Sequence, residues 1–150
     1  MNTAELESHQ MPRAIVHRFY DKFLNEGNAS IADQLFSPDY TGPDGKGAEN
    51  IKAFASLLRQ GFPDLHFKIQ DMVVEGARVA VRWELEGTHR GPFAGAVPTG
   101  RRISHHGMAF FWIKDGRIAE FWSEVDRLNL LQQIGASPLI GQRGPVPRSV

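Results

Sequence analysis

Residues 102–126 read Arg102-Ile103-Ser104-His105-His106-Gly107-Met108-Ala109-Phe110-Phe111-Trp112-Ile113-Lys114-Asp115-Gly116-Arg117-Ile118-Ala119-Glu120-Phe121-Trp122-Ser123-Glu124-Val125-Asp126. Asp115-Gly116 stands between Ile113 and Ile118, and a type I′ turn needs positive φ at both central positions, which this dipeptide tolerates. The stretch therefore predicts a β-hairpin, with strands over about 102–113 and 117–126. Side chains alternate across a strand, so parity assigns faces. Ile103, His105, Gly107, Ala109, Phe111 and Ile113 share an uncharged face, which we take as inward. Arg102, Ser104, His106, Met108, Phe110 and Trp112 share the other. Both faces are largely apolar toward Ile113, which predicts a cover on each: a helix layer inside and a second copy of the chain outside.

Upstream, Leu65, Phe67 and Ile69 alternate with polar residues, and Val79, Val81, Trp83 and Leu85 do so again after a turn at Glu75-Gly76-Ala77. Residues 87–100, with Pro92, Gly95 and Pro98, read as a long irregular connection. Before Pro63 the period is helical. Ile15, Val16, Phe19, Tyr20, Phe23 and Leu24 recur on one face of a helix over about 11–26, closed by Gly27 as a residue of positive φ. A short helix is expected over 30–36, with Ser30 as its N-cap, and a third over about 48–60 that buries Ile51, Phe54, Leu57 and Leu58. Residues 38–47 are turn chemistry and are expected to be loop. A last helix carries Leu128, Leu130, Leu131 and Ile134.

Helices first and antiparallel strands second imply an α+β arrangement, with the helices over the concave face of a curved sheet and a pocket between them. The expected organisation is a flexible N-terminus over 1–10, one domain over 11–136, and a Pro-rich tail over 137–150.

Composition limits the function classes. The chain has 150 residues, 17 Lys+Arg against 17 Asp+Glu, 41% apolar residues and no Cys. Balanced charge argues against nucleic-acid and anionic-membrane partners. Without Cys there is no disulfide framework and no thiolate chemistry. No stretch approaches the ~18 apolar residues of a membrane span, so a cytoplasmic protein is expected. No HxxxH or HExxH spacing is present, and neither a metal nor a cofactor is expected.

On the fourth strand, parity places Ile118, Glu120, Trp122, Glu124 and Asp126 together. Trp122 seldom sits on a fully wet face, so this face is expected to turn inward, bringing Glu124 and Asp126 to the pocket mouth. A desolvated, crowded carboxylate has a raised pKa and can serve as a general acid or base. His105, on the inferred inward face, could relay a proton or could be a satisfied core histidine. His89, among Gly87, Gly91 and Pro92, could contact substrate or order its loop. Phe54, Trp83 and Phe111 complete the expected substrate-binding set.

Several short motifs resemble the SnoaL-like polyketide cyclases. They are Phe62-Pro63-Asp64-Leu65-His66, Gly87-Thr88-His89-Arg90-Gly91-Pro92-Phe93, Pro98-Thr99-Gly100-Arg101-Arg102, and Asp115-Gly116-Arg117-Ile118 with Glu120 and Trp122. Asp126 and Leu130-Leu131-Gln132-Gln133-Ile134-Gly135 follow in the order seen in that family. The resemblance implies a cone-shaped barrel of the nuclear-transport-factor-2-like (cystatin-like) type, usually a homodimer through the outer sheet face. It also implies a cofactor-free intramolecular aldol condensation of a polyketide ester, with Asp126 at the position of the acid/base aspartate. Tyr20 matches a position where an aromatic contacts ligand, and reads equally as a core aromatic. Glu124 stands where an apolar residue would be expected. Besides a cyclase acting on a hydrophobic, carbonyl-bearing small molecule, two other readings fit. One is an epoxide-type hydrolase with paired carboxylates and Arg101 or Arg102 nearby. The other is a non-catalytic dimer that binds a hydrophobic ligand, because a fold does not fix a function.

Overall fold

The structure, a computed structural model, describes residues 2–43 and 45–136. The helical layer comes first. α1 (Thr3–Arg18) begins at Thr3 rather than near Met11, so the expected flexible segment is largely helical. Its first turns carry no apolar periodicity, and Pro12 inside the helix masks their continuity. The helix continues over Phe19–Asn25 with the wider π geometry, and Phe19, Tyr20, Phe23 and Leu24 are all buried there. Two side chains hold that segment. Asn25 donates to the Phe67 carbonyl at 2.9 Å and accepts from the Phe67 N–H at 2.6 Å, and Arg59 donates to the carbonyls of Leu24 and Asn25. Gly27 then reverses the chain at φ 68°.

A 3₁₀ turn (Ala29–Ile31) leads into α2 (Ala32–Leu35). Its cap is Asn28, whose side chain accepts from the Ser30 N–H at 3.2 Å, rather than Ser30 itself. Residues expected to be loop then form β1 (Phe36–Gly42) and β2 (Gly45–Lys46). Pro38 is accommodated because the ladder is irregular between Phe36 and Thr41. After α3 (Glu49–Gly61) come the four long strands β3 (His66–Glu75), β4 (Arg78–Thr88), β5 (Arg102–Lys114) and β6 (Arg117–Val125), and then α4 (Arg127–Gln133). The Pro-rich tail over 137–150 lies outside the described residues.

The strands form one sheet in the order β2-β1-β6-β5-β4-β3. It is curved and unclosed, with six strands, and mixed rather than wholly antiparallel, because β1 runs parallel to β6. Asp115 and Gly116 at the β5–β6 turn have φ of 51° and 73°, as a type I′ turn requires. The core lies between the concave face and the helices. Phe19 is its hub, with ring centroids 5.3 Å from Phe111, 5.2 Å from Phe121 and 5.0 Å from Tyr20. No described helix is long and apolar enough to cross a membrane.

Parity holds along β5, whose Ile103, His105, Ala109, Phe111 and Ile113 are buried. It fails along β6. Ile113 pairs with Ile118 but Trp112 pairs with Glu120, so Ala119 is one residue too many on the β6 side. Such a bulge exchanges the faces of everything beyond it. The inward residues of β6 after Ile118 are therefore Phe121, Ser123 and Val125, and the expected Glu120–Trp122–Glu124 face turns outward.

Candidate active site

A cavity of about 610 Å³ opens between the sheet and the helices. Its walls follow from the periodicities. The π segment supplies Phe19, Tyr20 and Leu24, and α3 supplies Ile51, Phe54, Leu57 and Leu58. Phe67 and Trp83 come from β3 and β4, His105 from β5, and Phe121, Ser123 and Val125 from β6. The mouth is rimmed by Pro43, by the Pro92–Gly95 turn and by Arg127 and Leu130 of α4. Phe54 and Leu57, expected to be buried, are 46% and 59% exposed because their α3 face borders this open space instead of a filled core.

Trp83 gives the cavity its floor beside His105. Trp83 pairs with Gly107 in the ladder, and its indole lies where any Cβ on Gly107 would be. The absent side chain is what lets the ring lie flat against β5. From there the indole meets His105 edge-on at 5.7 Å and Phe67 at 5.0 Å.

Two polar atoms of residues on this wall are buried without a hydrogen-bond partner: the Tyr20 hydroxyl and His105 Nδ1. Burial pushes the Tyr20 phenol above its ordinary range. For His105, burial is the largest influence and lowers the pKa; the charge of Asp126 opposes it, and that of His106 adds to it. The imidazole is therefore held neutral at neutral pH.

Asp126 occupies a different setting from the one expected. It is exposed, and it caps α4 by accepting the Asn129 N–H at 3.0 Å. It stands at the cavity mouth between Val125 and Arg127, both of which line the opening, and its charge reaches His105.

The remaining expected site residues divide clearly. Tyr20, Phe54, Trp83 and His105 line the cavity. Trp122 does not: it is 45% exposed on the outer face and donates to Glu120 Oε2 at 3.2 Å. Glu124 is exposed on the same face, opposite Met108. Both are displaced by the Ala119 bulge. Phe111 is fully buried but lies behind the wall, packed on Phe19 and Phe121. His89 is also fully buried away from the cavity and orders its loop. Its Nδ1 accepts the Thr99 N–H at 3.3 Å, and its ring packs on Phe62 at 5.6 Å. The paired carboxylates expected of a hydrolase are not assembled. Arg101 donates to the Gln133 carbonyl and Arg102 pairs with Glu86 at 3.1 Å, both outside the cavity. Among the described residues no three His, Asp or Glu side chains gather to hold a metal.

Sequence reasoning missed Phe121, Ser123, Val125 and Arg127 as wall residues. The available signal was the interval between Ile118 and Phe121: two strongly apolar residues three apart in a strand mark an inserted residue.

Comparison with known proteins agrees with this architecture. The model of the SnoaL-like polyketide cyclase family matches residues 14–134. Among curated proteins no relative matches. Among solved structures, AclR from Streptomyces galilaeus, provisionally labelled a hydroxylase, superposes with a TM-score of 0.76 at 27% identity, covering 85% of this chain and 98% of its own. IdmH from Streptomyces antibioticus, provisionally labelled a polyketide cyclase, gives 0.74 at 27% identity over 83% of this chain and 98% of its own. TsrD from Streptomyces laurentii gives 0.73 at 30% identity over 91% and 98%. A sequence match from within α1 through α4 thus coincides with the sheet, the cavity and the capping aspartate, and the chain belongs to the SnoaL-like polyketide cyclase family.

Proposed function

We propose that the protein is an acid/base enzyme that needs no cofactor and closes a ring in a hydrophobic, carbonyl-bearing small molecule by intramolecular aldol condensation. The observation that carries this reading is a buried, neutral, unpartnered imidazole, His105, inside an apolar cavity. In such a site a base is desolvated and the reacting conformer is held against aromatic walls. His105 removes a proton from a carbon flanked by carbonyls. The enolate carbon then forms the new C–C bond to the acceptor ketone carbon, whose C=O electron pair becomes an alkoxide. The imidazolium returns its proton to that oxygen, so the product is an isomer of the substrate. Asp126 supports the transient imidazolium by its charge at the mouth. This reassigns the roles suggested by resemblance: His105 is the proton carrier and Asp126 tunes it.

The assembly we propose is a homodimer through the outer sheet face. There Met108, Phe110 and Trp122 are 60%, 40% and 45% exposed, and Phe110 pairs with Trp122 in the ladder. Sedimentation as a monomer at micromolar concentration would remove that proposal.

The proton-transfer step can be tested without the natural substrate. 2-Tetralone, a flat bicyclic ketone with an acidic C–H, should exchange that hydrogen for deuterium faster than buffer alone when the wild-type protein is present, as read by NMR. His105→Asn should return the rate to background. Exchange at the buffer rate with wild type would refute the reading.

A further inference from the structure

Among the described residues, one formal charge stands on the cavity wall: Arg127, at the mouth beside Val125 and Leu130. No Asp, Glu or Lys lines the cavity with it. Neighbouring arginines are engaged elsewhere, Arg59 on two backbone carbonyls of the π segment and Arg101 on that of Gln133. Arg127 has no hydrogen-bond or ion-pair partner among the described residues. The adjacent Asp126 carboxylate does not pair with it and instead caps α4 through Asn129.

This arrangement sorts ligands by where their polarity lies. A carboxylate deep in an apolar cavity would carry a large desolvation cost. At the mouth it stays half-hydrated and meets a guanidinium whose planar fork matches its two oxygens. Low-dielectric walls on one side strengthen that attraction, and the exposed Asp126 carboxylate beside Arg127 offsets part of it.

Resting on the cavity being the ligand site, we propose that its substrate is an amphipathic acid: a flat unsaturated body among the aromatic walls and a free carboxylate at Arg127. The ester of the same acid fits the walls equally but leaves Arg127 without its partner. Because Arg127 is exposed, the preference is modest, about two- to fivefold in affinity, as for a partly screened ion pair. The reaction that supplies such a substrate must leave the terminal carboxylate unesterified.

The test uses 9,10-anthraquinone-2-carboxylate and its methyl ester as a matched pair, with affinities from titration calorimetry on the full chain. Wild type should bind the acid more tightly than the ester by that factor, and the ratio should shrink as salt is added. In Arg127→Gln the ratio should collapse to about one or below, because only the acid loses a partner. Arg127→Lys, which keeps the charge and loses the fork, should fall between. Equal affinity of wild type for acid and ester would overturn the carboxylate site while leaving the cyclase reading in place. A ratio that survives Arg127→Gln would overturn it equally. Failure of both probes to bind would remove the cavity as a ligand site, and both proposals with it.

Discussion

β5 and β6 are the two arms of one hairpin, and the same parity rule describes the first and fails on the second. Along β5 the inner residues run from Ile103 at 1% exposure through His105 at 4% to Phe111 at 0%, while Met108 and Phe110 stand outside. β6 starts in phase at Ile118, takes in Ala119 as an unmatched residue, and from then on presents its other face. An alternating pattern has no memory of what lies across the ladder, so one inserted residue inverts all that follows. The functional consequence is chemical. Instead of an acidic face with a tryptophan, the cavity receives Phe121, Ser123 and Val125 and stays apolar, with the His105 imidazole coming from β5.

The largest effect should separate adjacent histidines on opposite faces of β5. His105→Asn is expected to reduce 2-tetralone exchange by about 10²–10⁴-fold, the usual contribution of a positioned base. His106→Asn, on the exposed face, should leave the rate little changed. Equal losses in both would mean that β5 does not present its faces as described.

The next test puts the same contrast on β6, read as stability in urea. Phe121 is buried against Phe19 and Phe111, with centroids 5.2 and 5.0 Å away. Phe121→Ala should cost about 3–5 kcal/mol. Trp122→Ala removes a larger ring but one that is 45% exposed, and should cost under about 1 kcal/mol in the monomer. A reversed order would return Trp122 to the interior and abolish the bulge.

Legibility in the sequence tracks the range of the interaction responsible. The β5–β6 turn was legible because Asp115-Gly116 carries its own backbone preference. Tyr20, Phe54, Trp83 and His105 were legible as wall residues because the period of one helix or one unbroken strand placed them. β1 was not, since Pro38 and the glycines after it argue locally for a loop, and pairing with β6 and β2 makes a strand of them. Phe111 and His89 lie on buried positions as their neighbours suggest, but depth is a tertiary property. Phe19 and Phe121 cover the first, and Thr99 and Phe62 engage the second.

Gly107→Ala probes the β4–β5 register with a smaller effect. A Cβ there would collide with the Trp83 indole, so the ring must tilt into the cavity or the strands must part. A loss of about 1–3 kcal/mol in chemical denaturation is expected, the usual cost of overpacking, together with a change in near-ultraviolet dichroism from the displaced indole. Ala109→Gly, two residues along the same face, should leave that spectrum unchanged.

The mildest effect is a pH dependence, and it links the buried histidine to the exposed aspartate. His105 has an ordinary pKa of 6.5, and burial lowers it in the folded protein. As pH falls through 6.5 the unfolded chain takes up this proton before the folded one does, so the unfolded state binds more protons and stability falls. The contribution is fully present above 6.5 and is lost from there down toward the lowered value, and it should vanish from the stability curve of His105→Asn. Asp126 opposes the lowering, so Asp126→Asn should extend the loss to lower pH. Asparagine caps a helix as well as aspartate does, so α4 should survive the change. The acid limb of kcat/KM, which reports protonation of the free enzyme's base, should move to lower pH in the same variant. A limb that stays fixed while the stability curve shifts would uncouple His105 from the base of the reaction, because a group that merely sits in the core moves the first measurement and not the second.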